Sequence, residues 1–259
     1  MKTALITGAS AGIGAAFARE IASRGTNLVV VARSEDKLKQ LKSELEEQYK
    51  IQVDVIVQDL TVPNAAQAVY DGVNTRGLTI DLLINNAGFG EYGDFTGVDD
   101  EKQVKMIQLN VVALVDLTQK FLPGMRQRKS GSIVNLASTA AFQPMPYFSV
   151  YAASKAFVLS FSEALWAENR QHGVRVLAVC PGPTDTEFFK EAKFPSSLVD
   201  AASKNYTSPE VVVREALQAL EKDQSNVVPG GINLQLQVNV PRFLPRETIV
   251  NLVKQLFEK

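Results

Sequence analysis

Cysteine and histidine are almost absent: the 259 residues hold one of each, Cys180 and His172. One thiol excludes an intrachain disulfide, and one thiol with one imidazole cannot build a zinc cluster, so no metal is expected. Net charge is also nearly absent. The 27 basic and 28 acidic residues leave a formal charge of −1, and no long run of one sign interrupts the mixture. Without a basic face, neither nucleic acid nor an anionic membrane surface is expected as principal partner. Long hydrophobic runs are missing too, none reaching the ~18 residues of a membrane span. The N-terminus passes from Ala4-Leu5-Ile6 straight into a glycine loop, too short an apolar run for a secretory signal. A soluble, cytoplasmic protein is expected.

What is present is a regular alternation. Short β-branched runs at 4–6, 27–31, 51–57, 81–85, 132–136 and 174–179 are separated by helix-length amphipathic segments at 12–24, 34–49, 62–75, 99–128 and 150–171. Strands apolar on both faces and joined by helical crossovers form a parallel sheet covered on both sides. The expected fold is therefore α/β, a doubly wound Rossmann-like sheet of about seven strands. The last strand is placed near 226–228, between helices at 209–221 and 245–257. No composition break or internal repeat divides residues 1–259, which read as one domain. Residues 181–208, with Phe188, Phe189 and Phe194 amid polar neighbours, form either a candidate substrate lid or a packed surface insertion.

In such a fold ligands bind beyond the carboxyl ends of the strands, so the residues that follow each strand matter most. After the first comes Gly8-Ala9-Ser10-Ala11-Gly12-Ile13-Gly14, a strand-to-helix turn suited to a pyrophosphate: glycines let the backbone approach, and the helix offers its N–H groups. After the second strand comes Arg33, where an NAD site usually presents an acid to the ribose. A guanidinium suits a 2′-phosphate, so NADP (NADPH) is preferred over NAD. Asp59-Leu60 follows the third strand, and the aspartate can accept from an adenine amino group or cap the next helix. Asn86-Ala87-Gly88 follows the fourth and is either a wall for the cofactor or an ordinary turn. Ser138 closes the fifth strand; Pro181, Gly182, Thr184 and Thr186 follow the sixth.

Tyr151-Ala152-Ala153-Ser154-Lys155 opens the helix after the fifth strand. A spacing of four puts the phenol and the ammonium on one helix face. An ordinary tyrosine, with a pKa near 10, holds its proton too tightly for acid/base work at neutral pH, and a fixed cation nearby would lower that value.

Taken together, Thr7-Gly8 to Gly14, Asp59, Asn85-Asn86-Ala87-Gly88, Asn110, Ser138, Tyr151 to Lys155, and Pro181-Gly182 with Thr186 resemble the short-chain dehydrogenases/reductases over roughly residues 1–190. The resemblance implies a nicotinamide cofactor and a catalytic tetrad of Asn110, Ser138, Tyr151 and Lys155. In this reading Tyr151 is the acid/base, Ser138 orients the carbonyl, and Lys155 also holds the nicotinamide ribose. Asn110 carries a water toward Lys155, and Thr184 and Thr186 hold the carboxamide. It also implies a homo-oligomer, a dimer or tetramer, formed through the long helices. The expected activity is NADP-dependent hydride transfer to or from a small-molecule carbonyl or secondary alcohol, neutral and fairly apolar. The aromatic residues Phe89, Tyr92, Phe142, Met145, Tyr147, Phe148, Phe188 and Phe189 suggest its pocket, with Met145 among them as the sole thioether. A non-catalytic NADP(H)-binding sensor on the same fold is the competing expectation.

Overall fold

The computed structural model describes residues 2–258. The elements run β1 (Thr3–Thr7), α1 (Gly12–Ser23), β2 (Asn27–Ala32), α2 (Glu35–Tyr49), β3 (Val53–Val57), α3 (Ala65–Thr75), β4 (Leu82–Asn85) and α4 (Asp100–Ile107). A wide π-helical turn at Gln108–Ala113 leads into α5 (Leu114–Gln127), then β5 (Gly131–Leu136), a short 3-10 turn at Thr139–Phe142, α6 (Ser149–Asn169) and β6 (Val174–Val179). The chain finishes with α7 (Phe188–Glu191), α8 (Ser196–Ser203), α9 (Pro209–Glu221), β7 (Asn226–Val227), α10 (Ile232–Asn239) and α11 (Arg246–Phe257). The seven strands pair in the order β3-β2-β1-β4-β5-β6-β7, every pair parallel.

Successive strand residues point to opposite faces, which splits the core in two. Ile6, Leu28 and Val30 pack under Phe17 and Ile21 of α1, Leu38 and Leu45 of α2, and Val213 and Leu217 of α9. Their neighbours Leu5, Val29 and Val31 pack instead under Val69 and Val73 of α3 and Leu117, Phe121 and Met125 of α5. Each such side chain, fully buried, contributes about 1.5–3 kcal/mol relative to exposure. This two-sided burial is why the strands read as continuous apolar runs.

The observed elements refine the sequence expectation in places. The helix expected from 62 begins at Ala65, because Val62 precedes Pro63 and Asn64 turns left-handed at φ +59°. The span 99–128, long enough for one or two helices, holds two, with the π-helical turn between them placing Asn110 fully inside. Residues 232–239 form α10, an element the sequence reading lacks. The lid segment is not a plain loop: α7 and α8 lie within it, and a parallel bridge between Thr184 and Thr207 closes its base.

Candidate active site

The strand order reverses between β1 and β4, and the crevice there is where the site is built. The turn leaving β1 needs its glycines. Gly8 and Gly12 have φ +64° and +54°, and a Cβ on Gly14 would collide with the Gly8 carbonyl oxygen. Asn86, at the end of β4, locks the turn from across the crevice, its Nδ2 donating to the Thr7 and Gly8 carbonyls at 2.9 and 3.2 Å. Thr7 Oγ1 in return accepts from the Asn86 and Ala87 N–H groups, each at 3.0 Å. Ala11 at the start of α1 supplies no side-chain cap, so the first-turn N–H groups are left to an outside acceptor. Ser10 and Ile13 lie half-buried in the same turn. This cradle has the chemistry a pyrophosphate requires.

At the nucleotide end Arg33 is exposed immediately after β2. Its charge reaches Asp59. Burial works against the Asp59 carboxylate, but the Thr61 N–H and hydroxyl, at 2.8 and 2.7 Å, together with Arg33 and Lys105, hold it below the ordinary value. Asp59 Oδ1 thus closes its own turn and does not cap α3, whose first residue is six positions on. Leu60 is core: its side chain packs with Val31 and Ala66, which leaves only its backbone for a cofactor contact.

At the other end Ser138, Tyr151, Lys155, Asn110 and Gly88 converge. Ser138 Oγ accepts from the Ala140 N–H at 3.1 Å, which leaves its proton free to be given away, and the hydroxyl lies beside the Tyr151 phenol. Tyr151 is 8 % exposed and stacks on Phe148 at 4.3 Å between ring centroids. Lys155 is 5 % exposed, donates to the Leu136 carbonyl at 2.6 Å, and has its Nζ 5.7 Å from the Tyr151 ring centroid. A Cβ on Gly88 would stand 2.9 Å from Asn110 Oδ1 and 3.4 Å from Lys155 Nζ, so only glycine leaves that corner open.

The electrostatics of the pair are the reverse of those expected. Burial pushes the Tyr151 phenol up to about 12, with the Ser138 hydroxyl pulling weakly the other way. Burial likewise brings the Lys155 ammonium down to about 8, only partly offset by Cys180. The spacing of four is realised, but burial beside Phe148 and Phe188 sets the direction of the phenol's shift. Asn110 is held at both side-chain atoms. Its Oδ1 accepts from the Phe89 N–H, and its Nδ2 donates to the Phe89 carbonyl and to Ser154 Oγ, all within 3.0–3.1 Å. The amide thereby clamps the loop after β4 to α6.

Beyond β6, Pro181 is buried, and Gly182 lies against Leu234 of α10. Thr186 borders the glycine loop, its Cγ2 lying 3.2 Å from where a Gly12 Cβ would be. Thr184 is 6 % exposed and donates to the Gly182 carbonyl at 3.0 Å, so its hydroxyl serves its own turn.

The wall around Tyr151 is aromatic: Phe148 and Phe188 touch it, and Phe194, Tyr92, Phe89 and Met145 complete the cluster. Phe142 is not part of it; it packs with Leu114 and Val158 beneath α10. Phe189 turns toward Tyr206 inside the lid, stacking at 5.7 Å. Tyr147 has φ +61° and donates to Glu258 at 2.9 Å.

One functional candidate escaped the sequence reading. Glu91, with its side chain 4 % exposed, pairs with Lys102 of α4 and, at 2.8 Å, with Lys193 of the lid. Beside it the Tyr92 N–H donates to the Ala192 carbonyl at 2.8 Å, so the loop after β4 grips the lid by charge and by backbone. The signal was a lone carboxylate set in the glycine and aromatic run Phe89-Gly90-Glu91-Tyr92-Gly93.

A family model described as short chain dehydrogenase matches residues 2–195. A very-long-chain 3-oxoacyl-CoA reductase of Anas platyrhynchos is 35 % identical over 96 % of the chain and 78 % of that protein. The solved short-chain dehydrogenase from Sphingobium yanoikuyae in complex with NADPH has TM-score 0.83 and 34 % identity, over 92 % of this chain and 91 % of that one. A solved 7beta-hydroxysteroid dehydrogenase has TM-score 0.88 and 28 % identity, over 98 % and 96 % of the two chains.

Proposed function

The chain belongs to the short-chain dehydrogenase family, and from that premise we propose that it is an NADPH-dependent reductase of chain-bearing ketones, with 3-oxoacyl thioesters as its substrate class. At the coarser level it is a nicotinamide-dependent oxidoreductase that binds NADP(H). The expectation of a simple neutral carbonyl gives way to the thioester on two supports: the activity named for the 35 % identical relative, and an aromatic wall able to take an apolar chain.

The chain fits the cofactor. The Gly8–Gly14 turn and the uncapped start of α1 would hold the pyrophosphate, Arg33 the 2′-phosphate, and Asp59 the adenine amino group. Asn86, Ala87 and Gly88 would line the crevice, Lys155 would hold the ribose hydroxyls, and the Pro181–Thr186 loop would flank the nicotinamide with Thr186. When bound, NADPH supplies the hydride.

The remaining steps belong to the side chains. Ser138, its oxygen already satisfied by Ala140, donates a hydrogen bond to the substrate carbonyl oxygen and fixes its position, keeping its own proton. As negative charge grows on that oxygen, Tyr151 delivers its proton. A phenol near 12 is protonated throughout the physiological range and so is always loaded as an acid. The phenolate left behind is met by Lys155, whose ammonium persists below about pH 8. The product is the 3-hydroxyacyl thioester.

The observation that carries this reading is the convergence of Ser138, Tyr151 and Lys155 in one buried corner across from the glycine turn. It also weighs against a non-catalytic sensor, which has no chemical requirement for all three. The test is NADPH oxidation with a chain-length series of 3-oxoacyl thioesters. Rising kcat/KM with chain length supports the reading; turnover of bulky cyclic ketones alone supports a steroid-type substrate, the second reading favoured by the hydroxysteroid dehydrogenase likeness. A homo-oligomer in the cytoplasm is retained in this reading, built on the exposed Val104, Ile107, Val112 and Phe157 of α4, the π-helical turn and α6.

A further inference from the structure

Residues 224–246 contain no aspartate or glutamate, although the chain holds 28, and they carry Arg242 and Arg246. Within that stretch α10 is apolar on two faces. Leu234 and Val238 pack inward with Val158 and Cys180. Ile232, Leu236 and Val240, spaced by four and hence aligned along the helix, are 71, 62 and 49 % exposed. The line runs on into the next turn, where Phe243 is 85 % exposed and Leu244 40 %, between Pro241-Arg242 and Pro245-Arg246. A contiguous apolar strip of this kind marks an interaction surface.

We propose that this face rests on an anionic lipid bilayer, with α10 and its following turn lying in the headgroup plane and Phe243 as the wedge. Charge selects the occupant. The strip is acid-free, and two guanidiniums flank its most exposed aromatic side chain, the pattern that pairs with headgroup phosphates while the ring enters the acyl boundary. Among the described residues no helix is long and apolar enough to cross a membrane, so the contact lies in the plane. Leu234 of the same helix lies against Gly182 of the site loop, its Cδ2 2.7 Å from where a Cβ there would stand. The helix that carries the seated face therefore borders the active-site loop with its opposite, buried face. A net charge of −1 for the whole chain conceals this local asymmetry, which is why the sequence reading excluded a membrane surface. The proposal stands whether or not the substrate is a thioester.

The test is co-sedimentation of the full chain with phosphatidylcholine vesicles, with and without phosphatidylglycerol, run beside size-exclusion chromatography. The chain is expected to pellet with the phosphatidylglycerol vesicles, less so at high salt. Phe243→Ser and Ile232→Ser with Leu236→Ser are each expected to lower that binding about tenfold or more, with NADPH binding and circular dichroism unchanged. Arg242→Gln with Arg246→Gln should remove most of the phosphatidylglycerol dependence. The proposal falls if the parent chain stays in the supernatant at low salt, or if the serine variants bind as the parent does. It falls equally if Phe243→Ser alters only the oligomeric state, which would assign the face to a second copy of the chain.

Discussion

Replacing Lys155 by methionine should stabilise the ligand-free protein while abolishing its reaction. Burial brings the ammonium from its ordinary 10.5 to about 8, so holding the charge near neutral pH costs about 3 kcal/mol. Against this, the Leu136 carbonyl loses the donor it has at 2.6 Å, a loss of about 1–2 kcal/mol. Methionine is of similar length and adapts to the apolar stem's path. The net expectation is a gain of roughly 1–2 kcal/mol near neutral pH. The pH dependence follows from the folded-state value lying below the unfolded one. The penalty is fully present below about pH 8 and fades as pH rises toward 10.5, so the parent gains stability across that window and the variant does not. Cys180 and Tyr151, both raised to about 12 from ordinary values of 9 and 10, act in the opposite sense as pH rises through those ordinary values, but they do so in parent and variant alike, so the difference between the two proteins isolates Lys155. Urea unfolding of both proteins across that range measures the gap. A variant no more stable than the parent near neutral pH, or a gap that does not close, would refute the reasoning.

Three further expectations follow from the site. Arg33→Ala should weaken NADPH binding about ten- to a hundredfold and leave NADH unchanged, as titration of cofactor fluorescence would show; equal losses for both would deny Arg33 the 2′-phosphate. For reduction, kcat should be flat below about pH 8 and fall above it as Lys155 loses its proton, since Tyr151 stays protonated to about 12; a profile rising through that range contradicts the roles given to the pair. Burial opposes the Glu91 charge, but Lys102 and Lys193 hold its carboxyl below the ordinary carboxylate value, so the lid clamp contributes at neutral pH and is lost only as pH falls through that depressed value. Glu91→Gln should accordingly speed proteolysis within 188–203 and raise KM more than it lowers kcat, and unchanged cleavage would show that the lid needs no clamp.

Residues read from local spacing were legible in the sequence, and those set by tertiary enclosure were not. The glycine turn, Asn86 and the Tyr151–Lys155 pair announce themselves because each is a short-range pattern tied to a strand end, and the parallel sheet follows from apolar runs that must be buried on both faces. The direction of the Tyr151 shift was not legible, because Phe188, which helps Phe148 at the start of the same helix to exclude water, is brought in from the distant lid. Residues 232–240 alternate apolar and polar strictly, the period of a strand, yet fold as a helix because Leu234 and Val238 have a core to meet on one side. Leu60 and Phe142 carried plausible binding chemistry in the sequence and are claimed by packing. Glu91 offered only its oddity in an apolar run, and its meaning needs Lys193, 102 positions away.

The central claim is that Tyr151 gives a proton to a reducible carbonyl held by Ser138. Single-turnover oxidation of bound NADPH on a long-chain 3-oxoacyl thioester, followed for the parent and for Tyr151→Phe, addresses it most directly. The account predicts rapid oxidation in the parent and loss of at least about a hundredfold in the variant, with NADPH affinity nearly unchanged. A phenylalanine variant that turns over as fast as the parent would contradict it.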